Sequence, residues 1–96
     1  MLTGKQKRYL RSKGSLMKPT VSIGKEGLTE PVISECNLQI VATELVKVRI
    51  QKNYFGEVKE VANELAKATN SQLVGVAGRN FLVYLENKDK KQYDLP

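Results

Sequence analysis

The sequence predicts an α/β fold. It is one compact domain of 96 residues in the order α-β-α-β-α-β-β, with a mixed four-stranded sheet packed with helices. Three observations lead there. Leu45 to Ile50 alternates apolar and basic side chains as a half-buried strand does, while Val58, Val61, Ala62, Leu65 and Ala66 recur at helical spacing. A strand ending at Ile23, an amphipathic stretch from Thr29 and the strand Leu45–Ile50 form a strand-helix-strand unit, whose two strands lie parallel. The apolar runs Gln72–Ala77 and Phe81–Glu86 flank Gly78-Arg79-Asn80, a hairpin turn that adds an antiparallel pair.

Thr3 and Gln6 fit the capping box, so a helix starts there and runs to Lys13 or Met17. Tyr9, Leu10, Leu16 and Met17 project to one side of it, and Lys7, Arg8, Arg11 and Lys18 to the other. Lys13 falls on the apolar side, so it must snorkel unless the helix ends near Gly14. Pro19 forces extended geometry, and Thr20 to Ile23 read as a short strand. Thr29 is an N-cap, with Glu30 and Pro31 in the first turn, where both are favoured. Val32, Ile33, Cys36, Ile40 and Val41 form the core stripe of that helix. In the next strand Val46, Val48 and Ile50 face one way and Lys47 and Arg49 the other. Lys52 to Gly56 is a connection, and the third helix ends near Thr69-Asn70. The polar tail from residue 87 to 96 reads as loose, with docking points at Tyr93 or Leu95.

Charge is distributed unevenly. Lys5, Lys7, Arg8, Arg11, Lys13, Lys18 and Lys25 precede the first acid, Glu26, and the remainder carries nine basic and ten acidic residues. The formal net charge of +6 is therefore local to the first quarter of the chain. The lone cysteine, Cys36, precludes an intrachain disulfide and reads as a small core residue. There is no histidine, which removes Ser-His-Asp and Cys-His chemistry and the usual zinc sites. No catalytic residue, metal or cofactor is expected. No apolar run approaches the ~20 residues of a membrane span, and no signal-peptide pattern opens the chain, so a cytoplasmic protein is expected.

The candidate site is Gly24-Lys25-Glu26-Gly27, between a strand and a helix start. Glycines let backbone N–H groups approach phosphate oxygens, a helix N-terminus adds donors, and Lys25 adds charge. Glu26 opposes an anion unless it points to solvent. A Gly-x-x-Gly string alone is more often an ordinary turn. The basic first helix around it lacks the acidic i,i+4 partners of a solvated face, which favours an anionic partner. Lys5, Lys7, Arg8, Arg11 and Lys18 are therefore candidate phosphate contacts, as is Arg79 in the hairpin turn. Lys47 and Arg49 read equally as solubilising residues or contacts, and Tyr84, on an outer strand, as a base-stacking or a core residue. With two Phe, four Tyr and no Trp there is no broad aromatic platform, so recognition of backbone and shape is expected over reading of single-stranded sequence.

The strings Leu2-Thr3-Gly4-Lys5-Gln6-Lys7-Arg8-Tyr9-Leu10-Arg11, Ile23-Gly24-Lys25-Glu26-Gly27-Leu28-Thr29, Glu44-Leu45-Val46-Lys47-Val48 and Gly78-Arg79-Asn80-Phe81-Leu82-Val83-Tyr84 together resemble the CRM domain, the chloroplast RNA splicing and ribosome maturation domain. The stand-alone bacterial YhbY-like form is the nearest in pattern, from Leu2 to Leu95. The resemblance implies a fold similar to the C-terminal domain of a bacterial translation initiation factor. It implies an RNA partner rather than DNA or membrane: precursor large-subunit rRNA or pre-ribosomal particles, contacted through Gly24 to Gly27. Leu85 stands where the family often has a basic residue, and Lys52 to Gly56 is less charged than the family pattern. A monomer is expected. The alternative on charge alone is a non-enzymatic adapter docking an acidic protein surface.

Overall fold

The computed structural model describes residues 1–96. Its elements are α1 (Gly4–Gly14), β1 (Val21–Ile23), α2 (Glu30–Thr43), β2 (Leu45–Ile50), α3 (Val58–Ala68), β3 (Gln72–Ala77) and β4 (Asn80–Tyr84), in the order the sequence predicts. The strands form one mixed sheet in the order β1-β2-β4-β3. The β1-β2 pair is parallel; β2-β4 and β4-β3 are antiparallel.

Alternation sorts the strand side chains onto two faces, and each face has its own core. Val21, Ile23, Val46, Val48, Ile50, Phe81 and Val83 pack with Cys36 and Ile40 of α2 and with Val61, Ala62, Leu65 and Ala66 of α3. Leu45, Val74, Leu82 and Tyr84 pack on the other face with Leu10 of α1 and with Leu2. The result is three layers: α2 with α3, the sheet, and α1. Because α1 covers part of the second face, β2 is half-buried only towards its Arg49 end.

Helices α1 and α2 start where the sequence supplies caps. Thr3 accepts the N–H of Gln6, and Gln6 accepts that of Thr3. Thr29 accepts the N–H of Val32 at the head of α2. Helix α1 stops at Gly14, which is pressed against the sheet: a Cβ there would lie 2.3 Å from Leu82 Cδ1. Past that stop Leu16 turns outward, 88% exposed, and leaves the apolar side on which a longer helix would have put it. Lys13 stays exposed with its ammonium 5.3 Å from the centre of the Tyr9 ring. Val41 also leaves its predicted stripe. The contact with the sheet is made by Cys36 and Ile40, and Val41 sits about 100° around the helix from Ile40. Strand β4 ends at Tyr84 rather than Glu86.

The tail docks at both Tyr93 and Leu95, which pack on the α1 core. Its backbone is held from inside. Glu44, the one residue between α2 and β2, is wholly buried, and its carboxylate accepts N–H groups from Asn87 at 2.6 Å, Gln92 at 2.6 Å and Tyr93 at 3.2 Å. Asn87 Nδ2 donates to Val41 O at 2.8 Å, and Gln6 Nε2 donates to Pro96 O at 3.1 Å.

Two acids of the core titrate high. Burial pushes the Cys36 thiol from 9.0 up to about 11. Burial, then the Glu44 and Glu86 carboxylates, pushes the Tyr84 phenol from 10.0 up to about 12. Both groups favour the neutral form in the folded state, so their stabilisation is complete below pH ~9 and is lost as pH rises to ~12. Urea midpoints should fall across that window, and Cys36→Ala should flatten its lower part, between pH ~9 and ~11. A wild-type midpoint constant from pH 8 to 12 would refute this assignment.

Candidate nucleic-acid interface

Strand directions gather three connections at one end of the sheet: Gly24 to Gly27 after β1, Gln51 to Glu57 after β2, and Gly78-Arg79 between β3 and β4. The first is a tight turn closed by Gly27 N–H to Gly24 O at 3.0 Å. Gly27 has φ +72, in the left-handed region, and a Cβ on it would meet the Tyr54 ring at 3.3 Å. The constraint on Gly24 is space alone, since a Cβ would stand 3.2 Å from Gln51 Oε1. The turn thus rests on the connection after β2. The N–H groups of Lys25, Glu26 and Leu28 have no partner within the chain, and Lys25 and Glu26 are exposed. Free N–H groups on a turn of this kind can hold anionic oxygens. Helix α2 contributes less than its position suggests, because Pro31 has no N–H, Thr29 takes that of Val32, and Glu30 adds an acid.

The two glycines should respond differently to substitution. Gly27→Ala is expected to cost about 1–2 kcal/mol, the penalty of an L side chain at positive φ. Gly24→Ala should cost less than ~1 kcal/mol, since only the far end of Gln51 must move. Equal losses in urea titrations would contradict the distinction.

Arg79 occupies the second position of a two-residue hairpin turn led by Gly78, at φ +61. Its Nε donates to Ile50 O at 3.1 Å, and its Nη2 donates to Gln51 O at 2.6 Å and Tyr54 O at 2.9 Å. Those bonds fix the turn in which Tyr54 N–H reaches Gln51 O at 3.1 Å. The guanidinium therefore braces the support of Gly24 to Gly27, with Nη1 of its fork left open and its charge kept at this end.

Lys5, Arg8, Arg11 and Lys18 are exposed and Lys7 is half-buried. None is ion-paired: the single salt bridge joins Lys91 to Glu86 at 3.7 Å. The fold does not gather these cations at one spot. Leu2 N–H donates to Gln72 Oε1 at 2.8 Å, which sets the start of α1 at the start of β3, the end of the sheet away from Gly24. Lys5, Lys7 and Arg8 lie towards that far end. Arg11 lies along Gly75, with Nη1 3.5 Å from Val74 O. Lys18 lies in the segment returning beside β2, where Thr20 N–H bonds Lys47 O at 3.0 Å. The cations are strung as a band along α1 and the segment that returns beside β2, and Lys25 follows in the turn after β1.

Residues that the sequence leaves open resolve individually. Lys47 Nζ donates to Gly14 O at 3.1 Å and Met17 O at 3.2 Å, so it caps the carbonyl end of α1. Arg49 shares that face but lies past the end of α1, exposed between Ser22 and Asn80 on the neighbouring strands, and joins the band. Tyr84 is not on an outer strand: β4 is interior, and Tyr84 is 2% exposed in the core. Phe55, in the connection after β2, is 90% exposed and lies outside the candidates that the sequence offers. An aromatic between a turn tyrosine and Gly56 was the available signal.

This layered fold, with a glycine-flanked turn closing its first strand, belongs to a known class. The family profile of the CRS1/YhbY (CRM) domain matches residues 2–84, and the chain belongs to that family. Within it, the chain is similar over its full length to a Bacillus subtilis (strain 168) protein named "Probable RNA-binding protein YqeI", with 41% identity over 96 residues and all of both chains covered. A Methanocaldococcus jannaschii protein, "Probable RNA-binding protein MJ0652", is 37% identical over 94 residues, which cover 96% of this chain and 69% of that one. The solution structure of SAV1595 from Staphylococcus aureus superposes with a TM-score of 0.86 at 44% identity, covering both chains completely.

Proposed function

We propose that this protein is a non-enzymatic RNA-binding factor in maturation of the large ribosomal subunit, a cytoplasmic monomer that holds rRNA backbone at Gly24 to Gly27 and along the band of Lys5, Lys7, Arg8, Arg11 and Lys18. The observation that carries the reading is the band itself: cations without acidic partners, ending at a turn with unpartnered N–H groups. Relatives named as probable RNA-binding proteins support RNA as the anion, and the resemblance to the ribosome-maturation domain supports rRNA. Arg79 acts mainly by bracing the turn, with its charge as a secondary attraction.

Contacts to four to six phosphates give log K a salt slope of roughly 3–4 on single-stranded RNA. The deciding experiment is ultraviolet crosslinking in cells with sequencing of the attached RNA. Reads concentrated on precursor large-subunit rRNA support the role. Diffuse or absent reads, with a protein partner captured after nuclease treatment, would favour the acidic-surface adapter instead.

A further inference from the structure

We propose that Phe55 is a stacking platform for one unpaired base of the RNA held at Gly24 to Gly27, a proposal that rests on the RNA-binding reading. Among the large exposed hydrophobic residues Met1, Leu16, Leu38, Val41 and Phe55, it alone is aromatic, and at 90% exposure almost none of its ring is used in folding.

The backbone that displays it is fixed by the residues on either side. Tyr54 packs towards Gly27, its carbonyl accepts from Arg79 Nη2 at 2.9 Å, and its N–H bonds Gln51 O. Gly56 follows because the Tyr54 hydroxyl folds back into the space of a side chain: a Cβ there would lie 2.3 Å from Tyr54 Oη. Tyr54 thus faces the glycine turn while Phe55 faces solvent, and Lys25 in that turn and Lys52 in the same connection as Phe55 are exposed as well. A π face carried by the connection on which the turn with free N–H groups rests matches a nucleotide whose phosphate is held and whose base is free. Every base has a π face, so the contact adds affinity without sequence preference.

The chain has no tryptophan, so Phe55→Trp creates a single fluorescent reporter. The variants are titrated with a single-stranded oligoribonucleotide and with a blunt duplex. Phe55→Trp should retain affinity and be quenched by the single strand but not the duplex. Phe55→Ala should bind the single strand about 5- to 160-fold more weakly with the salt slope unchanged, which separates stacking from lost phosphate contacts. Wild-type affinity in Phe55→Ala, or equal quenching by duplex and single strand, overturns the platform and leaves RNA binding intact. A wild-type protein that binds neither RNA overturns both.

Discussion

Glu44→Ala is expected to lower stability by about 2–4 kcal/mol, the scale of losing charge-assisted hydrogen bonds from a buried site. The carboxylate is wholly buried and accepts three N–H groups from the tail. Without it Asn87, Gln92 and Tyr93 must turn those donors to water, and Tyr93 and Leu95 lose their hold on the α1 core. Glu44→Gly is the sharper test. Glu44 has φ 67, where glycine is favoured. If its role were only to turn the chain from α2 into β2, glycine would stabilise the protein by up to ~1 kcal/mol. We expect destabilisation instead, with faster tryptic cleavage at Lys88, Lys90 and Lys91. A gain in the urea midpoint would show that the tail contributes nothing.

Neutralising Lys5, Arg8, Lys18 and Lys25 together with glutamine is expected to weaken RNA binding about 100- to 300-fold near 0.15 M salt. A phosphate contact adds about 0.7 to the salt slope on single strands, which is about fourfold in affinity at that concentration. The slope should fall by about 3. All four side chains are exposed and outside the ion pair, so the fold should be unaffected. Splitting the set locates the RNA. Lys5 and Arg8 report on the far end of α1, and Lys18 and Lys25 on the end beside the glycine turn. Loss in one pair alone would shorten the band to that half, and unchanged affinity in both would reject the phosphate model.

Element order, both side-chain caps and the glycine turn were legible because each depends on neighbours in sequence. Thr3 meets Gln6, Thr29 meets Val32, and Gly27 closes on Gly24. What was hidden depends on distant pairs. Lys47 and Arg49 share a face of β2 and look equivalent, yet the end of α1 falls over the first and stops short of the second. In β3, Val74 is an extra residue between the Leu73–Val83 and Gly75–Leu82 pairs. Val74 and Gly75 therefore both meet α1, and Leu73 and Val76 the opposite core, which simple alternation does not predict. Glu44 resembles an ordinary acid at a helix end, since nothing local reveals the three tail amides that it receives. The charge of Arg79 is plain in the sequence, but its bonds to carbonyls 25 to 29 residues away leave no local signal.

The position of β4 between β2 and β3 also bears on how a nascent chain is made. Until β4 leaves the exit tunnel, β2 lacks its inner neighbour and β3 lacks its only one. Helix α1 emerges first, yet the surface that buries Leu10 includes Val74, Leu82 and Tyr84, and the bond from Leu2 to Gln72 spans 70 residues. The basic helix must therefore wait undocked through most of translation. Assembly is dominated by late, long-range closure, a topology that folds slowly for its size and leaves strand edges open to aggregation in truncated products.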